Sequence, residues 1–185
     1  GVNTIVTLNA NAPNLHIHPE TIENEMKCIS DYGKIFGKEQ RASEINRQIT
    51  DTIKKLKKNA GNYPKPKVMI IEFMRYLVSY DNTKLIGNMV EQLGGHVEET
   101  PPVITSEELL KTDPDVLFVV CSHPVSDNCY NRIYNDPAFN SLKCVKNHRI
   151  YGIPLTFTYS TLCRTQDGIK WLARGMYPGI QEVDG

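Results

Sequence analysis

Apolar residues run almost unbroken from Val68 to Phe73, and a polar stretch and then a helical pattern follow them. A short run of this kind predicts a strand buried on both faces. The helical pattern is Leu85, Ile86, Met89, Val90 and Leu93, closed by Gly94 and Gly95. The theme returns downstream. Asp115 to Val120 reads as a second buried strand, opening into the polar loop Cys121-Ser122-His123-Pro124. Arg149 to Ile153 reads as a third, stopped by Pro154. Thr105 and Glu108 have the spacing of a capping box, so a short helix is expected to end near Lys111. Cys129 to Leu142 carries helical material broken at Pro137, and Ile169, Leu172, Ala173 and Met176 mark a closing helix.

The first third of the chain patterns differently. Residues 1–8 read as a strand with nothing before it, which suggests a cut inside a larger protein, and Asn9 to His18 read as a polar loop. Pro19 suits the first position of a helix, and Glu20 and Glu23 suit its positive end. Ile22, Met26, Ile29 and Phe36 share one face of that helix, with Gly33 and Gly37 bracketing its end. Ala42, Ile45, Ile49, Ile53 and Leu56 then predict a second helix from Lys38 to Asn59, about 30 Å long. Its basic end (Lys54, Lys55, Lys57, Lys58) suits the negative helix terminus and reads as a solvated surface. Ala60 to Lys67 reads as a linker.

Strands alternating with helices after that linker argue for the α/β class. The expected body is a Rossmann-like, three-layer α/β/α lobe with a mostly parallel sheet, preceded by the long helix. Sheets of this kind hold ligands at the carboxyl ends of their strands.

Composition narrows the function. The 185 residues carry 21 basic and 21 acidic side chains, so no broad positive field exists to draw nucleic acid. No apolar run approaches the length of a membrane span. Nucleotide-binding glycine motifs and a serine-nucleophile elbow are missing too, and no catalytic residue is expected. Five cysteines without a CxxC pair read as free, partly buried thiols, which mildly favours a reducing setting or an oxygen-free habitat.

Six stretches then stand in a telling order: PETIENEMKCISDYGKIFGKEQRASEI, PKVMIIEF, YDNTKLIGNMVEQLGG, ITSEELLKTDPDVLFV, DPAFNSLKCVKNHRIYGIP and GIKWLARGMYP. The ordered set resembles the substrate-binding proteins of ABC importers for iron-siderophore, haem and cobalamin. The resemblance implies two α/β lobes joined by one long rigid helix, with ligand between them. It assigns residues 1–18 to the end of a truncated N-terminal lobe, 19–62 to a helix and the connecting helix, and 63–185 to the C-terminal ligand-binding lobe. It also implies a non-catalytic, extracytoplasmic protein, periplasmic or lipid-anchored, whose partners are the membrane subunits of an ABC importer. The iron-siderophore, haem or corrinoid would be cargo, not a resident cofactor.

Three loops at strand ends carry the candidate ligand contacts. In Ser79–Lys84, ahead of a helix, these are Tyr80, Asp81 and Asn82, beside helix N–H groups that favour an anion. In the second loop they are Ser122 and His123. In the third, Thr156–Arg164, the resemblance implies an arginine or aromatic facing ligand. Arg164 would pair with a carboxylate or anionic chelate through two parallel hydrogen bonds, and Tyr159 would stack on a ring or coordinate haem iron. Glu91 matches a position where the resemblance implies an exposed acid that docks on transporter arginines. Each of these residues also has a plainer reading as packing, cap or helix surface. Cys121 and His123, two apart, do not fill a tetrahedral site, so no metal site is expected; His16 and His18 read as surface residues.

Three alternatives stand beside the receptor reading. One is a Cys121–His123 nucleophile pair. Another is a metal-chelate or cofactor-binding enzyme subunit of the nitrogenase or chelatase layout. The third is a dimer of the isolated chain, formed through apolar surface that a second lobe would otherwise cover.

Overall fold

The computed structural model describes residues 21–121, 129–158 and 164–180. The strand assigned to residues 1–8, Pro19, and the candidates Ser122, His123 and Tyr159 lie outside them. Helix α1 (Ile22–Phe36) starts three residues later than expected. Its N-cap is Thr21, whose hydroxyl accepts the Asn24 N–H at 3.1 Å, so Pro19 is not its first residue. Gly33 does not end the helix either. It lies inside α1, where a Cβ would come within 2.6 Å of the Ala42 Cβ, so glycine is what allows the next helix to touch. Gly37, at φ 62°, makes the stop in the left-handed conformation. Helix α2 (Glu39–Asn59) is one continuous rod of 21 residues, as its spacing predicts.

The body begins with β1 (Lys67–Phe73) and continues β2 (Leu77–Ser79), α3 (Leu85–Gln92), β3 (His96–Val97), β4 (Val103–Ile104) and α4 (Ser106–Thr112). It closes with β5 (Val116–Cys121), α5 (Asn131–Tyr134), α6 (Lys143–Lys146), β6 (Ile150–Pro154) and α7 (Thr165–Met176). The six strands run β4-β2-β1-β5-β6, with β3 beside the start of β1. β1, β5 and β6 are parallel; β2 and β4 are antiparallel additions that the sequence reading missed. They are two or three residues long, too short for their own periodicity to stand out.

Alternate residues of the central strands feed two cores. Val68, Ile70, Val116, Phe118 and Val120 pack against α2, α3 and α7, while Met69, Ile71, Leu117 and Val119 pack against α4, α5 and α6. The capping box forms as expected: Thr105 accepts the Glu108 N–H and Glu108 accepts the Thr105 N–H.

Buried polar contacts pin the helical arm to the body. The Thr165 hydroxyl donates to fully buried Glu25 at 2.7 Å, Gln166 donates to the Thr52 hydroxyl at 2.7 Å, and the Ile22 N–H donates to Asn88 at 2.9 Å.

The cysteines depart from expectation. Cys121 and Cys129 form a disulfide, their Cα atoms 5.9 Å apart, within the range a bridge requires. Their spacing in sequence could not show that the turn before α5 returns to the end of β5. The argument for a reducing setting loses its basis. Cys28 and Cys144 are free, and burial pushes the Cys144 thiol up to about 12.

Candidate functional site

The parallel strands β1, β5 and β6 end in step, with Glu72 level with Val120 and Cys121 level with Pro154. Their carboxyl ends make one edge, and the three candidate loops leave from it. After β1 the chain folds back in a tight hairpin, closed by the Met74 N–H on the Tyr76 carbonyl at 3.0 Å. β2 then leads to Tyr80, whose N–H returns to the Ile70 carbonyl at 3.0 Å.

Tyr80 does not present a free phenol. Its ring is buried and its hydroxyl donates to the carboxylate of Glu72, itself buried in β1. Glu72 escaped the sequence reading, although a lone acid inside the run VMIIEF was a legible signal. Asp81 turns back on its own loop, accepting the Thr83 N–H at 2.9 Å. Asn82 is half-buried beside it.

On the other side of the edge, β6 passes into a 3-10 turn at Leu155–Phe157. Arg164 stands at the start of α7, with its guanidinium carbon 4.7 Å from the Phe157 ring centre and Nε 3.4 Å from Asp167. The side chain is half exposed, so its remaining N–H groups face solvent. Phe157 also packs edge-on against Trp171, whose indole N–H donates to the Gly152 carbonyl at 2.9 Å. Tyr80, Asp81, Asn82 and Arg164 therefore share the strand-end edge, but only Arg164 offers a charged group outward.

Glu91 lies elsewhere. It ends α3 near the start of β1, accepting the Val97 N–H at 2.8 Å, with His96 Nδ1 at 3.4 Å from the same oxygen. That places it toward the amino edge of the sheet, away from the loops. Other charges there serve the fold. The Lys67 ammonium, 2.8 Å from Glu98, holds that carboxyl below its usual range, and the Lys143 N–H, donating at 2.8 Å, does the same for Asp113. Among the described residues no group of three or more His, Cys, Asp or Glu could hold a metal ion. The largest open groove, about 530 Å³, is apolar and lies between α1 and α2, lined by Ile29, Tyr32, Phe36, Ala42 and Ile45.

Comparison with known proteins meets this geometry. The family described as "Periplasmic binding protein" matches residues 4–155. The High-affinity heme uptake system protein IsdE of Staphylococcus aureus is 25% identical over 145 residues, covering 72% of this chain and 49% of that protein. A periplasmic binding protein from Veillonella parvula has a similar structure, with a TM-score of 0.80 at 24% identity, over 89% of this chain and 54% of its own. The ABC-type Fe3+-hydroxamate transport system structure from Saccharomonospora viridis gives 0.72 at 20% identity, over 85% of this chain and 56% of its own. The chain thus spans about half the length of the relatives it matches.

Proposed function

This chain belongs to the periplasmic binding protein family, and from that premise we propose that it is the ligand-binding lobe and connecting rod of an extracytoplasmic receptor. The receptor would hand an iron-siderophore, haem or corrinoid to an ABC importer. In this reading residues 19–62 are the rod, 63–185 the lobe, and residues 1–18 belong with a second lobe. The observation that carries it is α2: one continuous helix, fixed by buried contacts to a body whose parallel strands open on a single edge. A rod of this kind bends little, so closure around ligand is small.

The ligand contacts are proposed at the strand-end edge. Arg164 pairs with anionic oxygens of the cargo. Asp81 and Asn82 line the first loop, and Ser122, His123 and Tyr159 belong to the other two. Tyr80, anchored on Glu72, shapes the floor of the first loop. Glu91 keeps a part-exposed carboxylate, which suits docking on importer arginines at the lobe's other end. The chelatase-like alternative leaned on free cysteines, two of which are joined to each other.

The test uses the full-length protein and three probes: haemin, a ferric siderophore and cyanocobalamin. Trp171, the single tryptophan, packs on the aromatic ring that carries Arg164, so quenching of its emission reports binding. Saturable quenching by one class is expected, with Arg164→Ala weakening an anionic probe by about 1–3 kcal/mol. Silence from all three probes would overturn the receptor reading.

A further inference from the structure

Building on the receptor reading, we propose that Arg75, Arg132 and Arg164 form a cationic rim that selects negatively charged iron chelates, those bearing carboxylate or catecholate oxygens. Three guanidinium-on-ring pairs occur among the described residues. Arg75 lies 5.9 Å from the centre of the Tyr76 ring, Arg132 4.7 Å from Phe73, and Arg164 4.7 Å from Phe157. All three stand at the same edge. Phe73 is the last residue of β1, and Tyr76 sits in the hairpin directly after it. Arg132 belongs to α5, the first helix after β5, and Phe157 follows β6. β5 separates β1 from β6, so the pairs spread over two strand spacings, about 10 Å. That spread suits several anionic groups on one ligand better than a single carboxylate.

The way these cations are held matters. Lys27, Arg41, Lys67 and Lys143, elsewhere in the molecule, each have a carboxylate partner. Arg75 and Arg132 have none among the described residues, and Arg164 has only the 3.4 Å approach of Asp167. An aromatic face positions a guanidinium without neutralising it and leaves its N–H fork free for oxyanions. The acids of this edge are turned to local tasks. Glu72 is buried under Tyr80, Asp81 accepts from Thr83, and Asp136 accepts the Ala138 N–H at 3.0 Å. The hairpin tip adds exposed Met74 and Tyr76, an apolar surface suited to the organic part of a chelate.

The experiment measures the affinity of the full-length protein for haemin, a trianionic ferric tris-catecholate and the cationic ferric hydroxamate ferrioxamine B. Trp171 emission is the readout, at low and high salt. At least one anionic probe is expected to bind about tenfold or more tighter than ferrioxamine B, with salt eroding the difference. Which anionic probe wins separates carboxylate from catecholate recognition. R75Q/R132Q/R164Q is expected to erase the preference without weakening ferrioxamine B. Equal or tighter binding of ferrioxamine B by the unmodified protein overturns the rim while leaving the receptor reading intact. So does an anionic preference that survives the triple substitution or ignores salt. Should the triple variant not fold, the salt dependence of the unmodified protein decides. Binding of no probe overturns the receptor reading, and the rim with it.

Discussion

The two halves of α2 are held in different ways. Its carboxyl half is sunk into the body: Ile49, Thr52 and Leu56 are each about 1% exposed, and Gln166 of α7 donates to Thr52. Its amino half lies with α1 along the open apolar groove, where Ile45 is only half-buried and Phe36, closing α1, is 61% exposed. The contacts between α1 and α2 are also wetter, with Asn46 donating to the Met26 carbonyl and the Ser30 hydroxyl, each at 2.9 Å. One end of the rod is thus part of the lobe's core, and the other presents a surface. A helix built this way transmits orientation, because it cannot move at one end without carrying the body along.

Truncations along the rod test that contrast most directly. Ile49→Ala should cost about 2–5 kcal/mol in urea unfolding, since a sealed site cannot collapse around the missing atoms. Ile45→Ala should cost less than about 1 kcal/mol. Equal losses would mean that the two halves are held alike. Next comes the buried clip: Thr165→Val removes the hydroxyl that Glu25 accepts and should cost about 1–3 kcal/mol by the same measurement. An unchanged midpoint would show that packing alone pins the arm.

Caps sharpen the contrast at smaller scale. Thr21→Ala removes one hydrogen bond from α1, whereas Thr105→Ala disrupts a reciprocal pair in α4. Each should cost about 1 kcal/mol, with the box the larger loss. Acid sensitivity is the finest probe. Asp113 is held below its usual range, first by the Lys143 N–H. Its contribution is present above the ordinary carboxylate range and disappears as pH falls through the depressed value. The stability gap between the parent protein and Asp113→Asn should therefore close on acidification. Asp31 on α1 is also depressed by Lys27 and Lys34, but in full solvent, so Asp31→Asn should open a smaller gap or none. A larger gap for Asp31 would reverse the contrast.

Much of this was readable from local spacing. The rod, the buried strands, the capping box and the helix at Leu85 each follow from residues a few positions apart, whose periodicity is set by the geometry of a helix or strand. Gly33 was misjudged because a helix-ending glycine and a glycine that lets two helices touch look alike in sequence. β2 and β4 stayed hidden because an antiparallel pair of two or three residues is chosen by its neighbour, not by its own pattern. Arg164 was placed correctly on the edge, while Arg75 and Arg132 drew no notice, since nothing nearby marks an arginine that lies on a distant ring.

The order of hydrophobic and polar residues was enough to establish the class of fold, the long helix and the edge where ligand would bind, because each depends on interactions within one element. The inward turn of Tyr80 onto Glu72, the Cys121–Cys129 bridge and the ring beneath Arg132 depend on which elements the folded sheet sets side by side. Those pairings join residues whose separation along the chain carries no record of their distance in space.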